Sequence, residues 1–293
     1  MGNLVICVYL FVCPRAPSKD LDLMLQKSDL HRHWHARQRY LNCPVLNTTG
    51  IHIVHMLYFP YNKTTQTMKA DESDFDHKFY NKMRTKLEGR YCIKLWKLSD
   101  MRSYVTAEYP GLWELVEKKA DRPVALVDFY RLLVVYDFGG VFWQYGSELT
   151  RQMWELPDPF EPFMPPKGKG ARLMVEKWLT QEQADEIGRT RASRQGKAPA
   201  LRRIATQVFA AWPHNDFLRF ACRKAIWNLL TIPVKRDYDI LETMGNGMFS
   251  EAFNDFEAQG KAASVDVLDD DKKYQMVHFS HTFSWRKDKG RCC

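Results

Sequence analysis

Residues 128–148, DFYRLLVVYDFGGVFWQYGSE, decide the fold of this chain. In the first half of the stretch, apolar residues return every three or four positions, which is the spacing of one face of an α-helix. Gly139 and Gly140 end that helix, because glycine adopts the left-handed conformation of a helix C-terminus at little cost. Residues 141–143 then predict a short buried strand. A helix that turns directly into a strand is typical of α/β sheets, in which ligands bind where the strands end.

The same stretch resembles a family of DXD-type sugar transferases that includes the fungal initiating α-1,6-mannosyltransferase and the α-1,4-galactosyltransferases. That family reads A/S-D-x-x-R-Y-x-x-L-Y-x-x-G-G-I-Y-x-D-x-D, and the residues of this chain that match it are Asp128, Arg131, Tyr136, Gly139, Gly140, Val141 and Phe142. The two metal-binding aspartates of the motif are replaced here by Gln144 and Gly146. The resemblance therefore implies the family's fold, but it does not imply the family's metal site.

Further segments resemble the family in the same order along the chain. The β-rich residues 51–58 are similar to its opening strand, and residues 91–96 to its next strand. Residues 206–217 follow its N-x-x-M-A-A-x-P-x-H-P-F segment, although Thr206 stands where the family has asparagine. Residues 243–247 resemble its T-G-P loop without the proline.

The chain closes with residues 277–285, VHFSHTFSW, which are similar to the family's final H-x-x-x-S-W. The resemblance thus runs from about residue 51 to residue 286. Within it, the pattern of residues 204–230 predicts one or two helices around Trp212.

Strand and helix signals alternate from about residue 51 to residue 145, which predicts an α/β layered domain. The resemblance specifies a GT-A-like single domain, with a mixed, mostly parallel sheet flanked by helices. We expect this domain to span residues 51–290, with a basic insertion at about 160–203. Residues 1–50 form a separate N-terminal segment that contains the apolar run 4–13. That run is shorter than the roughly 20 residues of a membrane span, and two interpretations stay open: the core of a signal or anchor sequence, and an extension packed on the domain.

The chain of 293 residues is basic, with 43 lysine and arginine residues against 35 acidic ones. A basic balance suits an anionic partner such as a nucleotide diphosphate, a nucleic acid or a membrane surface. The basic residues concentrate between positions 167 and 203, where they do not alternate with aromatic residues in a recognised pattern. We therefore expect no nucleic-acid partner, whereas association with a membrane surface stays open.

The seven cysteines include no C-x-x-C pair, so neither a zinc ribbon nor a thioredoxin-like site is expected. Most of them are interpreted as buried or free thiols, with one or two disulfides if the protein is secreted. The sequons at Asn47 and Asn62 favour the secretory pathway. The resemblance points to the Golgi within that pathway, and the cytoplasm is the alternative compartment.

The resemblance implies a glycosyltransferase that moves a sugar, with retention of configuration, from a UDP- or GDP-sugar to a hydroxyl of a glycan or of another acceptor. Asp128 and Arg131 lie three residues apart, on one helix face, and would contact hydroxyls of the donor sugar as the catalytic pair. The alternative is an intrahelical ion pair of little energetic value. The other residues expected to bind the donor are His55, Tyr58, Gly139, Gly140, Trp143, Gln144, Tyr145, Gly146, His278 and Trp285. For Trp143 core packing is an equal alternative, and for His278 a structural role.

Members of the family hold Mn²⁺ or Mg²⁺ between the DXD carboxylates and the diphosphate. At those two positions this chain offers a neutral amide carbonyl and no side chain, so we expect its affinity for a divalent metal to be low. Three explanations stay open. Basic residues from 167–203 together with Arg286 replace the metal, or Glu148 or the aspartates 269–271 bind a displaced metal. In the third, the protein is a catalytically inactive relative that binds a nucleotide sugar or a glycan.

Overall fold

The computed structural model describes residues 39–41, 52–59, 61–62, 67–68, 77–120, 123–191, 194, 196–232, 234, 237–268 and 276–278. The strands are β1 (Ile53–Tyr58), β2 (Tyr61–Asn62), β3 (Thr67–Met68), β4 (Cys92–Lys97), β5 (Gly140–Trp143), β6 (Glu148–Leu149), β7 (Ala171–Trp178), β8 (Arg202–Ile204), β9 (Val208–Ala211), β10 (Val265–Leu268) and β11 (Val277–His278). The helices are α1 (His77–Leu87), α2 (Leu98–Glu108), α3 (Leu112–Lys119), α4 (Pro123–Phe138), α5 (Arg151–Trp154), α6 (Gln181–Thr190), α7 (Asp216–Thr231), α8 (Asp237–Thr243) and α9 (Asn246–Ala258), with 3-10 turns at Glu161–Phe163 and Ala262–Ser264.

Seven of the described strands form one sheet in the order β10-β7-β9-β5-β1-β4, with β8 paired to β7. Strands β4, β1 and β5 are mutually parallel, and β10 is parallel to β7. Strand β9 runs antiparallel between β5 and β7, and β8 is antiparallel to β7. Five of these seven strands therefore point the same way. The α/β class and the mixed, mostly parallel sheet predicted from the sequence are confirmed.

Helices cover both faces of this sheet, and the strand side chains alternate between two hydrophobic cores. In β1, Ile53 and Leu57 belong to the larger core, whereas Val54 and Met56 belong to the smaller one. Helices α2, α3, α4, α7 and α9 close the larger core, and α1, α5 and the turn at Glu161–Phe163 close the smaller one. Because both faces are buried, the central strands are almost continuously apolar.

The glycine pair forms the corner between α4 and β5, as the sequence predicts. Helix α4 begins at Pro123, where a fixed φ suits the first helical position, and the chain turns at Gly139 (φ 68°) and Gly140 (φ 95°). A Cβ atom on Gly139 would lie 2.6 Å from Pro213 Cδ, and one on Gly140 would lie 2.4 Å from the Ile53 carbonyl oxygen. Only glycine meets both the dihedral and the steric requirement at this corner.

The second half of the chain contains two strands that the sequence did not reveal. Residues 160–203 include β7, an interior strand of the main sheet with β10 on one side and β9 on the other. That these residues are a basic insertion stays a prediction. Residues 204–230 are not helical throughout, since β9 occupies 208–211 and only α7 is a helix. The short apolar run of β9 fits a buried helix and a buried strand equally well, and pairing with β5 and β7 decides between them.

Several sequence expectations lie outside the described residues. They concern the apolar run 4–13 and the rest of the N-terminal segment apart from 39–41, the sequon at Asn47, the aspartates 269–271, Trp285 and Arg286. Among the residues that the structure describes, no helix combines the length and the apolarity needed to cross a membrane.

Candidate functional site

The site is built at one border of the sheet, named here the carboxyl edge, where β1, β5 and β7 end and β9 begins. Backbone hydrogen bonds join its segments: Gln144 N–H donates to the Gln207 carbonyl (2.8 Å), and Ala205 N–H donates to the Met174 carbonyl (2.8 Å). The turn after β5 and the middle of β7 are therefore both hydrogen-bonded to residues 205–207, which lead into β9. Parallel strands commonly collect ligands at such an edge.

The ion pair of Asp128 and Arg131 lies at this edge. The corner at Gly139 sends α4 back across β5, so its first turns reach the end of that strand. The Arg131 guanidinium lies 5.2 Å from the centre of the Phe142 ring, and its Nη1 donates to the Thr206 carbonyl (2.8 Å). Its Nη2 donates to the Asp128 carboxylate, and the two side chains are only 6% and 5% exposed. The pair faces the protein interior at the carboxyl edge rather than bulk solvent.

Burial controls the electrostatics of this pair. It raises the pKa of the Asp128 carboxyl, and the neighbouring Arg131 opposes only part of that change. It also lowers the pKa of the Arg131 guanidinium, against the opposing effect of Asp128. Both shifts follow because a charge removed from water is costly, so each partner depends on the other. The burial of both side chains thus argues against the alternative interpretation, a solvent-exposed ion pair within the helix that adds little to stability.

One oxygen of Asp128 remains available. Only Oδ1 accepts a hydrogen bond from the described residues, and that bond comes from Arg131. The other oxygen, Oδ2, lies against the start of α9, where a Cβ atom on Gly245 would be 3.2 Å from it. A ligand hydroxyl that reached this oxygen would find an acceptor already held in place by an arginine.

Unpaired polar atoms concentrate at the same edge. Four side-chain oxygens in the described part of the chain are buried without a hydrogen-bond partner. Three of them, Ser147 Oγ, Gln207 Oε1 and Asn246 Oδ1, belong to the turn after β5, the segment before β9 and the start of α9. The fourth is the Tyr130 hydroxyl, next to Arg131 in α4. An unpaired buried acceptor costs about 1–3 kcal/mol, so their grouping indicates a binding site for a ligand rich in hydrogen-bond donors.

Two of the predicted donor-binding residues meet as an aromatic pair. Tyr58 is the last residue of β1, and Tyr145 lies in the turn after β5; their ring centres are 5.4 Å apart at an angle of 62°. Both residues are half-buried, and so are Gln144 and Gly146 in the same turn, where Gly146 takes a φ of 87°. The structure therefore brings Tyr58, Gln144, Tyr145 and Gly146 together with Asp128 and Arg131 at the carboxyl edge.

His55 has a structural role that argues against its predicted role in binding the donor. Its side chain is fully buried, and its Nδ1 accepts a hydrogen bond from the Trp96 indole N–H (3.0 Å). The other ring nitrogen therefore carries the proton, and Nε2 donates to the Gly139 carbonyl (2.8 Å). Both nitrogens of a neutral imidazole are thus used to fasten β1 and β4 to the glycine corner.

Trp143 and the two corner glycines also have structural roles that require no donor. The indole of Trp143 is completely buried, donates to the Ser147 carbonyl (2.8 Å) and packs edge-on against Phe160. Core packing was the alternative for this residue, and the structure supports it. Gly139 and Gly140 lie at the amino end of β5, whereas the candidate site lies beyond its carboxyl end. Their steric role at the corner explains them without a ligand.

The C-terminal candidates are only partly placed. The backbone of His278 pairs with Glu148 in a two-stranded sheet formed by β6 and β11, which follows the turn after β5. The position of the His278 side chain, like all of Trp285, lies outside the described residues. Their contact with a donor stays a prediction.

The described residues do not fit a divalent metal. Gln144 and Gly146 supply no carboxylate, and among the described residues no group of three or more His, Cys, Asp and Glu side chains could hold an ion. Glu148, one of the proposed alternative ligands, is exposed and lies 3.6 Å from Lys82 Nζ. Hard cations prefer anionic oxygen ligands, and the turn after β5 no longer offers them.

The arginines between 167 and 203 that were expected to replace the metal are largely engaged in holding the fold. Four of them form ion pairs, and the pair at Glu242 is buried to 5% and 4% exposure. The pairs are Arg172–Asp266, Arg194–Glu251, Arg202–Glu257 and Arg203–Glu242. These four arginines already pair with carboxylates, which argues against the explanation that they replace the metal.

Sequence reasoning missed three residues of the carboxyl edge: Glu176, Gln207 and Asn246. The available signals were departures from the family pattern. Asn246 stands in the loop that lacks the family's proline, and Gln207 follows the threonine that replaces the family's asparagine. Glu176 carried no signal, because nothing in the sequence indicated that residues 171–178 form a strand of the sheet.

No protein-family model matches this chain, and no curated protein matches it either. Among solved structures, the chain is similar to one described as "PaToxG Glycosyltransferase". The TM-score is 0.40 and the sequences are 12% identical, over 80% of this chain and 88% of that chain.

Proposed function

We propose that this protein is a glycosyltransferase that moves a sugar from a UDP- or GDP-sugar to a hydroxyl group of a glycan. One observation carries the proposal: a buried carboxylate–guanidinium pair lies at the carboxyl edge beside three unpaired buried oxygens. A sugar supplies several hydroxyl donors within a small volume, and its hydroxyl oxygens accept from a guanidinium. The motif that places Asp128 and Arg131 on one helix face supports the same class of ligand.

Different residues of the carboxyl edge bind different parts of the sugar nucleotide. Asp128 Oδ2 accepts a hydroxyl of the transferred sugar, while Arg131 holds the carboxylate in position through Asp128 Oδ1 and the Thr206 carbonyl. The Tyr58–Tyr145 pair offers an aromatic surface for the nucleotide base at the end nearer β1. Burial of the charged pair strengthens these hydrogen bonds, because little water competes for them.

The proposal includes retention of configuration, as the resemblance implies, and turnover without a divalent metal. The second part is supported by the residues themselves: Gln144 offers a neutral carbonyl and Gly146 no ligand atom. The Mn²⁺ or Mg²⁺ that related enzymes hold between two aspartates therefore has no equivalent pair of carboxylates in the turn after β5.

The alternative is a catalytically inactive relative that binds a nucleotide sugar or a glycan. Two observations favour it. The charged residues of the site, Asp128 and Arg131, form an ion pair with each other. The carboxylates that similar enzymes use for the metal are missing. Binding without turnover is the result that this alternative predicts.

The test is a panel of UDP-glucose, UDP-galactose, UDP-N-acetylglucosamine and GDP-mannose, assayed for binding by calorimetry and for release of UDP or GDP. The proposal predicts that one donor binds and turns over, and that excess EDTA leaves the rate unchanged. Restoration of a lost rate by Mn²⁺ would refute metal independence. Binding without turnover would establish the inactive alternative, and absence of binding by every donor would overturn both.

A matched pair of variants locates the site in the same assay. Gln207→Met removes an unpaired amide at the carboxyl edge while keeping the side-chain length, whereas Gln259→Met makes the same change in an exposed residue after α9. We expect donor affinity to fall by about tenfold in the first variant, as for one lost hydrogen bond, and to stay unchanged in the second. Equal behaviour of the two variants would place the donor elsewhere.

We propose that the protein is located in the secretory pathway, and more specifically in the Golgi. Cys92 is disulfide-bonded, whereas Cys222 is a buried free thiol. Disulfides persist in oxidising compartments and are rare in the cytosol, which supports this choice over the cytoplasmic alternative. Peptide mapping of the unreduced protein, isolated with its thiols blocked, should recover Cys92 in a disulfide. Recovery of Cys92 as a thiol would favour the cytoplasm.

A further inference from the structure

The side-chain amide of Asn246 is buried near the start of α9, and its contacts do not involve Asp128 or Arg131. Asn246 is the first residue of α9 and is 9% exposed. Its Nδ2 donates a hydrogen bond to the carboxylate of Glu176 in β7, and its Oδ1 is buried without a partner. The residue thus spans from the start of a helix to the end of a strand and still leaves one acceptor unused.

The orientation of this amide is fixed by its partner. An ionised carboxylate only accepts hydrogen bonds, so Asn246 must present its NH₂ group to Glu176. The carbonyl oxygen then points away from Glu176. It can be satisfied only by a donor from another direction, and none of the described residues supplies one.

The charges around the start of α9 define what that donor is. Asp128 lies against Gly245, and a Cβ atom on Gly247 would be 2.4 Å from Glu242 Oε2. Together with Glu176, these side chains put three carboxylates around the first turn, which disfavours an anion such as phosphate. Asp128 and Glu242 are already neutralised by Arg131 and Arg203, so no strong demand for a cation remains. A neutral hydroxyl donor fits this surrounding.

The sequence context also separates Asn246 from a merely structural role. The first position of a helix suits proline, because the N–H there has no partner within the helix. The loop that this segment resembles has a proline, whereas this chain has an asparagine whose side chain reaches Glu176. A residue needed only to start the helix would not require the side-chain amide that Asn246 directs to Glu176.

We infer that Asn246 Oδ1 accepts a hydrogen bond from a hydroxyl of the transferred sugar, next to the one bound by Asp128, and that Glu176 is the positioning residue that orients the amide. The inference rests on the proposed function, because it assigns a second contact within the same donor site. It makes the pair Glu176–Asn246 a determinant of which sugar is accepted.

The experiment compares the affinity for a sugar nucleotide with the affinity for the nucleotide alone, using the panel of four donors together with UDP and GDP. In Glu176→Gln, the new amide can donate to Asn246 Oδ1, which satisfies that oxygen internally and removes it from the ligand. We expect the affinity for the sugar nucleotide to fall by about tenfold and the affinity for UDP or GDP to stay the same. Asn246→Ala should give the same pattern.

The control is Glu182→Gln, which makes the same change in an exposed residue of α6 and should leave every affinity unchanged. Thermal unfolding of each variant separates a local effect from loss of the fold. The double variant Glu176→Gln with Asn246→Ala should be no weaker than either single variant, because both changes remove one contact.

The outcomes are distinguishable. Folded variants that bind the sugar nucleotide as tightly as the wild type would overturn this inference and leave the proposed function intact. An equal loss of affinity for the free nucleotide would also overturn it, because the pair would then act on the whole site rather than on the sugar. If the wild type binds no sugar nucleotide at all, the proposed function fails and the inference fails with it.

Discussion

The carboxylate of Asp128 and the guanidinium of Arg131 depend on each other because the protein has removed both from water. The spacing of three residues predicts that they share a helix face, and the structure places them so. Their burial could not be predicted from that spacing, because it comes from contacts with residues far along the chain. The hydrogen bond from Arg131 to the Thr206 carbonyl, for example, spans 75 positions. His55 shows the same limit, since a histidine in a strand gives no sign of the two partners that will occupy its nitrogens.

Substitution of Arg131 by alanine should therefore destabilise the protein strongly. It leaves the Asp128 carboxylate buried without its partner, and we expect the free energy of unfolding to fall by about 3–5 kcal/mol. The matched control is Arg219→Ala in α7, whose pair with Asp216 has the same spacing but exposures of 40% and 71%. That change should cost less than about 1 kcal/mol in urea unfolding. Equal, small losses in the two variants would show that the pair at the carboxyl edge is not held as described.

At the scale of elements, the corner between α4 and β5 follows directly from local sequence, and the identity of β9 does not. Gly139 and Gly140 identify the corner because their conformation is a property of the residue itself. The helix α4 begins at Pro123 for a similarly local reason. Residues 208–211 form a strand because β5 and β7 provide partners on both sides, and that pairing is not encoded in a run of four apolar residues.

Gly140→Ala tests the corner. The added methyl group would lie 2.4 Å from the Ile53 carbonyl oxygen, on a residue whose φ is 95°. Overpacking and the unfavourable φ together should lower the free energy of unfolding by about 2–5 kcal/mol. Gly260→Ala is the matched control, because its φ is 74° and a Cβ atom there meets nothing within 4 Å, so its loss should be about 1–2 kcal/mol. If the two glycines tolerate alanine equally, the steric account of the corner is wrong.

For the whole molecule, the order of motifs was enough to predict the sheet class. The turn after β5 and the residues before β9 come together because β9 runs antiparallel to β5, and α4 returns across β5 to the same edge. The sequence did not predict that β7 joins this sheet, so Glu176 was missed and the arginines around it were interpreted as part of a basic insertion. Their partners lie 39 to 94 positions away, as in Arg203–Glu242 and Arg172–Asp266. Such pairs exist only once the sheet has formed.

The most direct measurement is hydrogen–deuterium exchange of the full chain with and without the sugar nucleotide that binds best. The account predicts slower exchange in three segments, 144–147, 205–207 and 245–248, and no change at the glycine corner or in residues 213–214. These segments are distant in sequence and meet only at the carboxyl edge. Protection confined to other segments, while the sugar nucleotide is bound, would contradict the central claim that the sugar lies against Asp128 and Arg131.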